Sequence, residues 1–430
     1  MTNLKVGSLA AWASGILDTA KYHLLLGGWL LFLTLGLQFL SFLIIARGLG
    51  LTQFGQLSAL FALTGPASEL VGLGSSERLL EQVSRDTKSF PVALADSLLT
   101  IILSGPVVIG AVTLLSHLLV PDLPLSTTLF LVATETLAAR SITHVGFILI
   151  AHGATFLVNL QGFVIASLRC ILAAGVFFVA RNSNLETYAV VYSVAMFATV
   201  ALFMAGAMRR YGLAQFSRGR TRPLLGLSFA AHNFCSSLSQ SVDRIGLSIM
   251  LPYGQIGIYN AGARMLQVAI VPVTGLLLRD TYPNFFRIGK SGIGATFAYA
   301  LSLLPRVCSI TAICVLGAVG ISYLLPVLLG PKYSESAPIG AIMVMAGFPI
   351  ALQYLGGDIL TGAGRQSVRA GLTIASIPII SGVIILGSWL FGVFGAAVCF
   401  VLVQCLMAIV QWIVAHVLNR RSQTKLKPAS

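Results

Sequence analysis

Apolar residues run through this chain in long blocks, separated by short gaps where the polar residues gather. A bilayer crossing needs about 20 apolar residues. Twelve blocks meet that length: 24–46, 54–74, 92–119, 125–150, 156–180, 185–207, 224–250, 255–281, 297–328, 337–361, 372–391 and 394–418. The pattern predicts an all-α integral membrane protein of about twelve transmembrane helices, because hydrocarbon leaves no partner for an open strand edge. No gap is long enough to fold as a soluble domain. Residues 1–23 are mixed in character, so a cleavable signal peptide is not expected.

The gaps alternate in charge. Starting with the N-terminus inside, the cytoplasmic side receives Lys5, Lys21, Arg78, Arg85, Lys88, Arg209, Arg210, Arg218, Arg220, Arg222, Arg287, Lys290, Arg365, Arg369, Arg420, Arg421, Lys425 and Lys427. The outer side receives only Arg47, Arg181 and Lys332. That asymmetry predicts both termini in the cytoplasm. SSERLLEQVSRDTKSF (75–90) reads as a short amphipathic helix at the inner interface. RRYGLAQFSRGRTRP (209–223) reads as a basic loop joining a six-helix lobe, 1–208, to a second, 224–430.

The two lobes look related. A shift of 202 residues, without gaps, places Gln38 on Gln240, Gln53 on Gln255, Gly55 on Gly257 and Ala59 on Ala261. Thr34 falls on Ser236 and Ser41 on Asp243. An even number of spans per lobe makes the repeats parallel, related by a pseudo-two-fold along the membrane normal. Such architectures carry their transport site between the lobes.

Composition supports a lipid-embedded chain: 57% of residues are hydrophobic, 9% are charged and mean hydropathy is +0.91, whereas soluble domains carry about 25% charged residues. The net charge of +14 sits in the gaps rather than in a basic domain, which argues against nucleic acid. The six cysteines (170, 235, 308, 314, 399 and 405) lie in apolar runs without a CxxC pair, so neither a metal site nor a cofactor is expected. RIGKSG (287–292) ends like a phosphate-binding loop, but Asn284 stands where its first glycine belongs. A proton or cation gradient is the expected energy source.

Several blocks carry polar stripes. At about 100° per residue on a helix, Asn233, Ser237, Ser241, Arg244 and Ser248 share a side, with Ser236, Gln240 and Asp243 beside them. Neighbours at i and i+1 diverge on a helix, so Asp243 and Arg244 are not expected to form a simple pair. Asn260, Arg264, Gln267 and Thr274 align on another block, as do Thr34, Gln38 and Ser41, and Thr136, Arg140, Thr143 and His144. Hydroxyls and amides in such stripes commonly bond helix to helix. Arginine costs more at bilayer depth, and Arg140, Arg169, Arg244 and Arg264 face only Glu69, Glu135 and Asp243 as deep acids. This set suggests a cationic lumen for an anionic, phosphate-bearing substrate, with Arg140, Arg169, Asn233, Gln240, Asn260 and Gln267 among its lining. Glu69, Glu135 and Asp243 are the candidate ion-coupling groups.

ARGLGLTQFGQLSALFAL (46–63) resembles the passage joining the first two spans of Wzx-type polysaccharide flippases, relatives of the multidrug-and-toxin extruders. DRIGLSIMLPYGQIGIYNAGARM (243–265) is similar to that family's span 7–8 passage, and LLGPKYSESAPIGAIMVMAG (328–347) with LTGAGRQ (360–366) to its span 9–10 region. The resemblance implies a transporter of a polyprenyl-diphosphate-linked oligosaccharide from the inner to the outer leaflet of a bacterial inner membrane, serving O-antigen or exopolysaccharide synthesis. It implies substrate contacts at Arg47, Arg244 and Arg264, and a polysaccharide polymerase as a partner beside the membrane lipids. An ion-coupled multidrug or cation antiporter on the same fold is the alternative, but it would want an acidic cavity. A membrane-bound polymerase or ligase would need a sizeable outer loop, and the outer gaps are too short.

Overall fold

The computed structural model describes residues 4–180, 184–216, 226–274 and 279–426, with side chains from residue 28 onward except 279, 280, 283 and those beyond 422. Residues 217–223 of the expected basic loop and Arg181 of the expected outer face lie outside the described residues. Among the described residues every regular element is helical. Eight helical stretches among them are long and apolar enough to cross a membrane. Two of these, Gly28–Ser68 and Gln366–Ser422, are 41 and 57 residues long, at least twice the roughly 20 that one crossing requires. The protein is therefore an all-α, multi-pass membrane protein.

Helix α1 (Leu4–Ser68) breaks at Gly50, whose φ of 73° and ψ of 178° suit only a residue without a Cβ. The sequence pattern placed a seven-residue gap at 47–53; the helix instead continues to either side of this single residue. After a turn at 69–74 come α2 (Ser75–Arg85) and α3 (Phe90–Leu119). Then α4 (Leu125–Ala133) runs through a wide π-turn, Thr134–Ala138, into α5 (Ala139–Ala151). A second π-turn, Gly175–Val179, ends α6 (Thr155–Ala174), and α7 (Leu185–Tyr211) follows.

The block expected as one span at 224–250 is two helices, α8 (Leu227–Ser239) and α9 (Val242–Met250), with a turn at Gln240–Ser241. Next come α10 (Tyr253–Val273), α11 (Arg279–Gly289), α12 (Ile293–Ser322), α13 (Leu325–Leu329), α14 (Ser336–Val344) and α15 (Gly347–Gly362). Helix α16 (Gln366–Leu426) breaks at Phe391–Gly392, where Gly392 again has a positive φ.

The chain divides into two compact units. Unit 1 comprises residues 1–48, 68–113 and 125–230; unit 2 comprises 49–67, 114–124 and 231–430. The passage between them inside α1 falls at the Gly50 break, so 49–67 groups with the helices of unit 2.

In unit 1, α2 does not rest its apolar face on lipid. Leu79 and Val83 are buried against Phe90, Leu94, Val145 and Ile148. The interfacial reading of 75–90 therefore holds for its amphipathic character but not for what the apolar face covers. Burial of two such side chains stabilises by about 1.5–3 kcal/mol each, which fixes α2 to the unit.

In unit 2, the second half of α1 and α10 meet in a reciprocal contact. A Cβ on Gly55 would come within 1.8 Å of the Tyr253 carbonyl oxygen, and one on Gly257 within 2.6 Å of the Leu51 carbonyl oxygen. Gly55 and Gly257 differ by 202 positions, as do Leu51 and Tyr253. The two glycines are repeat-mates and so are the two residues they meet, which is what a two-fold axis between equivalent helices produces. Ser58 and Asn260, also separated by 202, share a hydrogen bond of 2.7 Å from Asn260 Nδ2 to Ser58 Oγ. The 202-residue repeat is therefore built into the packing. Apolar layers on either side of α10 complete the unit, one around Val273, Phe285 and Leu355, the other around Leu247, Tyr259, Ile339 and Ile384.

Candidate functional site

Within unit 1 the deep charges close on one another. Arg140, only 3% exposed, donates from Nη1 to Glu69 Oε2 at 2.7 Å and from Nη2 to both Glu77 oxygens at 2.8 and 2.9 Å. It ties α5 to α2 and to the turn after α1. Its Nε is buried without a hydrogen-bond partner. Glu77 was not among the residues singled out from sequence, because it lies in a polar gap that reads as solvated surface.

A second cluster sits on the π-turn. Glu135 Oε1 accepts hydrogen bonds from Arg169 Nη2 and, at 2.7 Å, from the Tyr192 hydroxyl. The Arg169 guanidinium also lies 4.9 Å from the centroid of the Tyr192 ring. The wide turn swings Glu135 away from the continuous α-helical register, a common device where a membrane helix must aim a polar group. Nearby, His144 is fully buried between Ser76 Oγ at 2.9 Å and Ser97 Oγ at 3.2 Å. Arg47 stands exposed three residues before the Gly50 break.

Unit 2 holds the stripe around Asp243 and Arg244. The turn at 240–241 breaks the projection from α8 into α9, but Asp243 and Arg244 lie together in the first turn of α9; against expectation they make an ionic contact. Arg244 Nε lies 3.6 Å from Asp243 Oδ1, an ionic contact without a hydrogen bond. Arg244 Nη2 instead donates to the Gln240 carbonyl at 2.8 Å and approaches Ser241 Oγ at 3.4 Å. The arginine thus covers a carbonyl at the helix break, where hydrocarbon could not. Asp243 Oδ2 accepts from the hydroxyl of Tyr259, a fully buried residue of α10, at 3.0 Å. Tyr259 was not among the candidate site residues, although the 243–265 passage carries it in its Gly-Ile-Tyr.

Along α10, Asn260 reaches Ser58 as above, and Arg264 Nη1 donates to Gln267 Oε1. Gln240 and Gln267 are exposed, whereas Asn233, Arg244, Asn260 and Arg264 are partly so. Most hydroxyls of the stripes turn back on their own helices: Thr34 to Leu30, Ser41 to Gln38, Thr136 to Val132, Thr143 to Ala139, Ser248 to Ile245 and Thr274 to Ile270. They satisfy themselves locally. The arginines and amides remain as the groups that join elements. Elsewhere in unit 2, Arg369 Nη1 bridges Asp358 at 3.3 Å and Thr361 at 2.9 Å, and Gln353 Nε2 donates to Gln404 Oε1 at 2.8 Å. Among the described residues no three His, Cys, Asp or Glu side chains converge as metal ligands.

The sequence matches the family described as polysaccharide biosynthesis protein over residues 28–289. The chain belongs to that family. This bears out the resemblance to Wzx-type flippases, since the match covers α1 through α11 and every candidate residue named above. No curated protein matches the chain by sequence. Among solved structures, an inward-facing multidrug resistance MATE family transporter of the MOP superfamily superposes with a TM-score of 0.67 at 14% identity, over 91% of this chain and 96% of that one. An outward-facing multidrug resistance MATE family transporter gives 0.61 at 14%, over 94% and 96%. A Vibrio cholerae MATE transporter gives 0.57 at 15%, over 94% and 98%. At these identities the likeness is one of fold. This polysaccharide biosynthesis protein therefore has a MATE-like fold.

Proposed function

We propose that this polysaccharide biosynthesis protein moves a polyprenyl-diphosphate-linked oligosaccharide from the cytoplasmic to the outer leaflet of a bacterial inner membrane. The observation that carries the reading is the family match over the helices that bear Arg47, Arg140, Arg169, Arg244 and Arg264. A transporter of cations gains nothing from the partly exposed Arg244 and Arg264 or the exposed Arg47; a diphosphate gains charge-assisted, bidentate donors. The drug-antiporter alternative keeps the fold but not the sign of the charge.

On this reading the breaks at Gly50 and Phe391–Gly392 turn eight spans into ten crossings, and the divided helices α4–α5 and α8–α9 add two more, for twelve. The positive-inside count places both termini in the cytoplasm. Arg244 and Arg264, with Asn233, Gln240, Asn260 and Gln267, form the headgroup-binding face of unit 2. Among the residues of unit 1, Arg47 and Arg169 are the further substrate-contact candidates, whereas Arg140 is held by two carboxylates, Glu69 and Glu77, and is structural. Glu135 and Asp243 each share a tyrosine hydroxyl and an arginine, which suits a coupling group whose partner set changes when a cation or proton arrives. Transport draws on an ion gradient, with the lipid tail remaining in the bilayer. The product feeds polymer synthesis, such as O-antigen or exopolysaccharide, through a polymerase partner.

The test is export of repeat units in cells that lack their own flippase. Arg244→Ala and Arg264→Ala should insert normally and abolish export. Normal export by both variants would overturn the proposal.

A further inference from the structure

One feature of unit 1 lies apart from the transport residues. A cavity of about 150 Å³ opens between α2 and the start of α3, and its polar lining is Ser75, Arg78, Gln82, Asp96, Ser97 and Thr100. At roughly 30 Å³ per water molecule, it holds the equivalent of about five waters. That is well below the roughly 300–1,000 Å³ of pockets for larger ligands, so its occupant is a small polar group and not an oligosaccharide.

The lining narrows the chemistry. Ser97 and Thr100 spend their hydroxyls on the Leu94 and Asp96 carbonyls. Ser75 Oγ, in contrast, is buried and has no hydrogen-bond partner, which leaves a donor beside the cavity. The fixed charges are one guanidinium, Arg78 of α2, and one carboxylate, Asp96 of α3, near enough for the guanidinium to act on the carboxylate. Such a pair matches a ligand that carries one anionic and one cationic end. The serine and the guanidinium suit the anionic end, and the carboxylate suits an ammonium.

The apolar rim identifies the source. Leu79, Ala93, Leu99, Leu103 and Gly226 complete the lining, and Leu103 and Val107, one and two turns beyond Leu99 on α3, are 62% and 71% exposed. They form an apolar track that leaves the cavity along a membrane-spanning helix. A soluble zwitterion has no use for that track, whereas acyl chains do.

We propose that this cavity binds the headgroup of a zwitterionic aminophospholipid from the surrounding leaflet, its phosphate on Arg78 and Ser75, its ammonium on Asp96 and its chains along Leu103 and Val107. The site is independent of the transported substrate. It fastens α2, which carries Glu77 of the Arg140 cluster, to the lipid at that membrane face.

Native mass spectrometry of the full chain, exchanged into phosphatidylethanolamine or phosphatidylglycerol, tests it. The wild type should retain one phosphatidylethanolamine about tenfold more strongly than phosphatidylglycerol, the scale of one charge-assisted contact. Asp96→Asn, which keeps the side-chain shape, should erase that preference. Arg78→Gln should lose both lipids. Leu103→Trp, at an exposed position that cannot disturb the core, should block the chain and weaken phosphatidylethanolamine without touching either charge, so the test survives if Arg78→Gln folds poorly. Equal retention of both lipids by the wild type, or an unchanged preference in Asp96→Asn and Leu103→Trp, would overturn the proposal. Saturable binding of soluble phosphoethanolamine by a protein that retains neither lipid would overturn the membrane source.

Discussion

Arg140 and Arg264 are both arginines in apolar helices, yet their surroundings assign them opposite work. Arg140 holds Glu69 and Glu77 in a buried cluster. Removing the cation leaves two carboxylates facing each other, a change that costs about 3–5 kcal/mol for buried pairs. Arg140→Ala should therefore lower the folded yield and the melting temperature in detergent. Arg264 is partly exposed and donates to an amide, so Arg264→Ala should shift stability by no more than about 0.5 kcal/mol while removing transport. A melting curve on each variant separates the two roles. Tyr259→Phe is the third residue-scale test: it strips the hydroxyl from Asp243 Oδ2 and should destabilise by about 1.5–3 kcal/mol, the range for a hydrogen bond to a charged group. The acids and arginines stood out in the sequence because charge is rare in apolar blocks. Their partners Tyr259, Tyr192 and Glu77 did not, because tyrosine blends into an apolar run and Glu77 into a polar gap. Only folding brings them together.

Helix breaks decide where these side chains point, and breaks were the least legible feature. The apolar blocks located most of the long helices, since burial in lipid demands length and little else. The turn at Gln240–Ser241 leaves no glycine or proline as a marker, so a projection through it joined the polar residues of α8 and α9 into one continuous stripe. The π-turn at 134–138 is equally silent. The Gly50 break was readable as a gap but not as a single residue. At the crossing of the second half of α1 with α10, glycine matters for contact rather than for φ. Gly55→Val should force the two backbones apart, because even its Cβ would overlap the Tyr253 carbonyl. Overpacking of this kind costs about 1–3 kcal/mol or more. Gly257→Val should behave alike, since it occupies the matching position 202 residues on. A lower thermal stability for both variants in detergent is the expected reading; tolerance of both would remove the crossing as a tight contact.

For the whole molecule, the repeat in sequence and the reciprocal contact in structure agree on a duplicated architecture, and the family match assigns it to polysaccharide biosynthesis. Orientation rests on the charge count. A cysteine at exposed Ser291 should react with an impermeant maleimide only from the cytoplasmic side, and one at exposed Ser334 only from outside; the reverse pattern would invert the topology. The direct test of the central claim is a flipping assay in proteoliposomes, using a radiolabelled polyprenyl-diphosphate sugar under an imposed proton gradient, with wild type beside Arg264→Ala. Transfer of the label by the wild type and its loss in the variant is the predicted result. No transfer by the wild type, together with efflux of a cationic dye, would contradict the account and make this chain a drug antiporter.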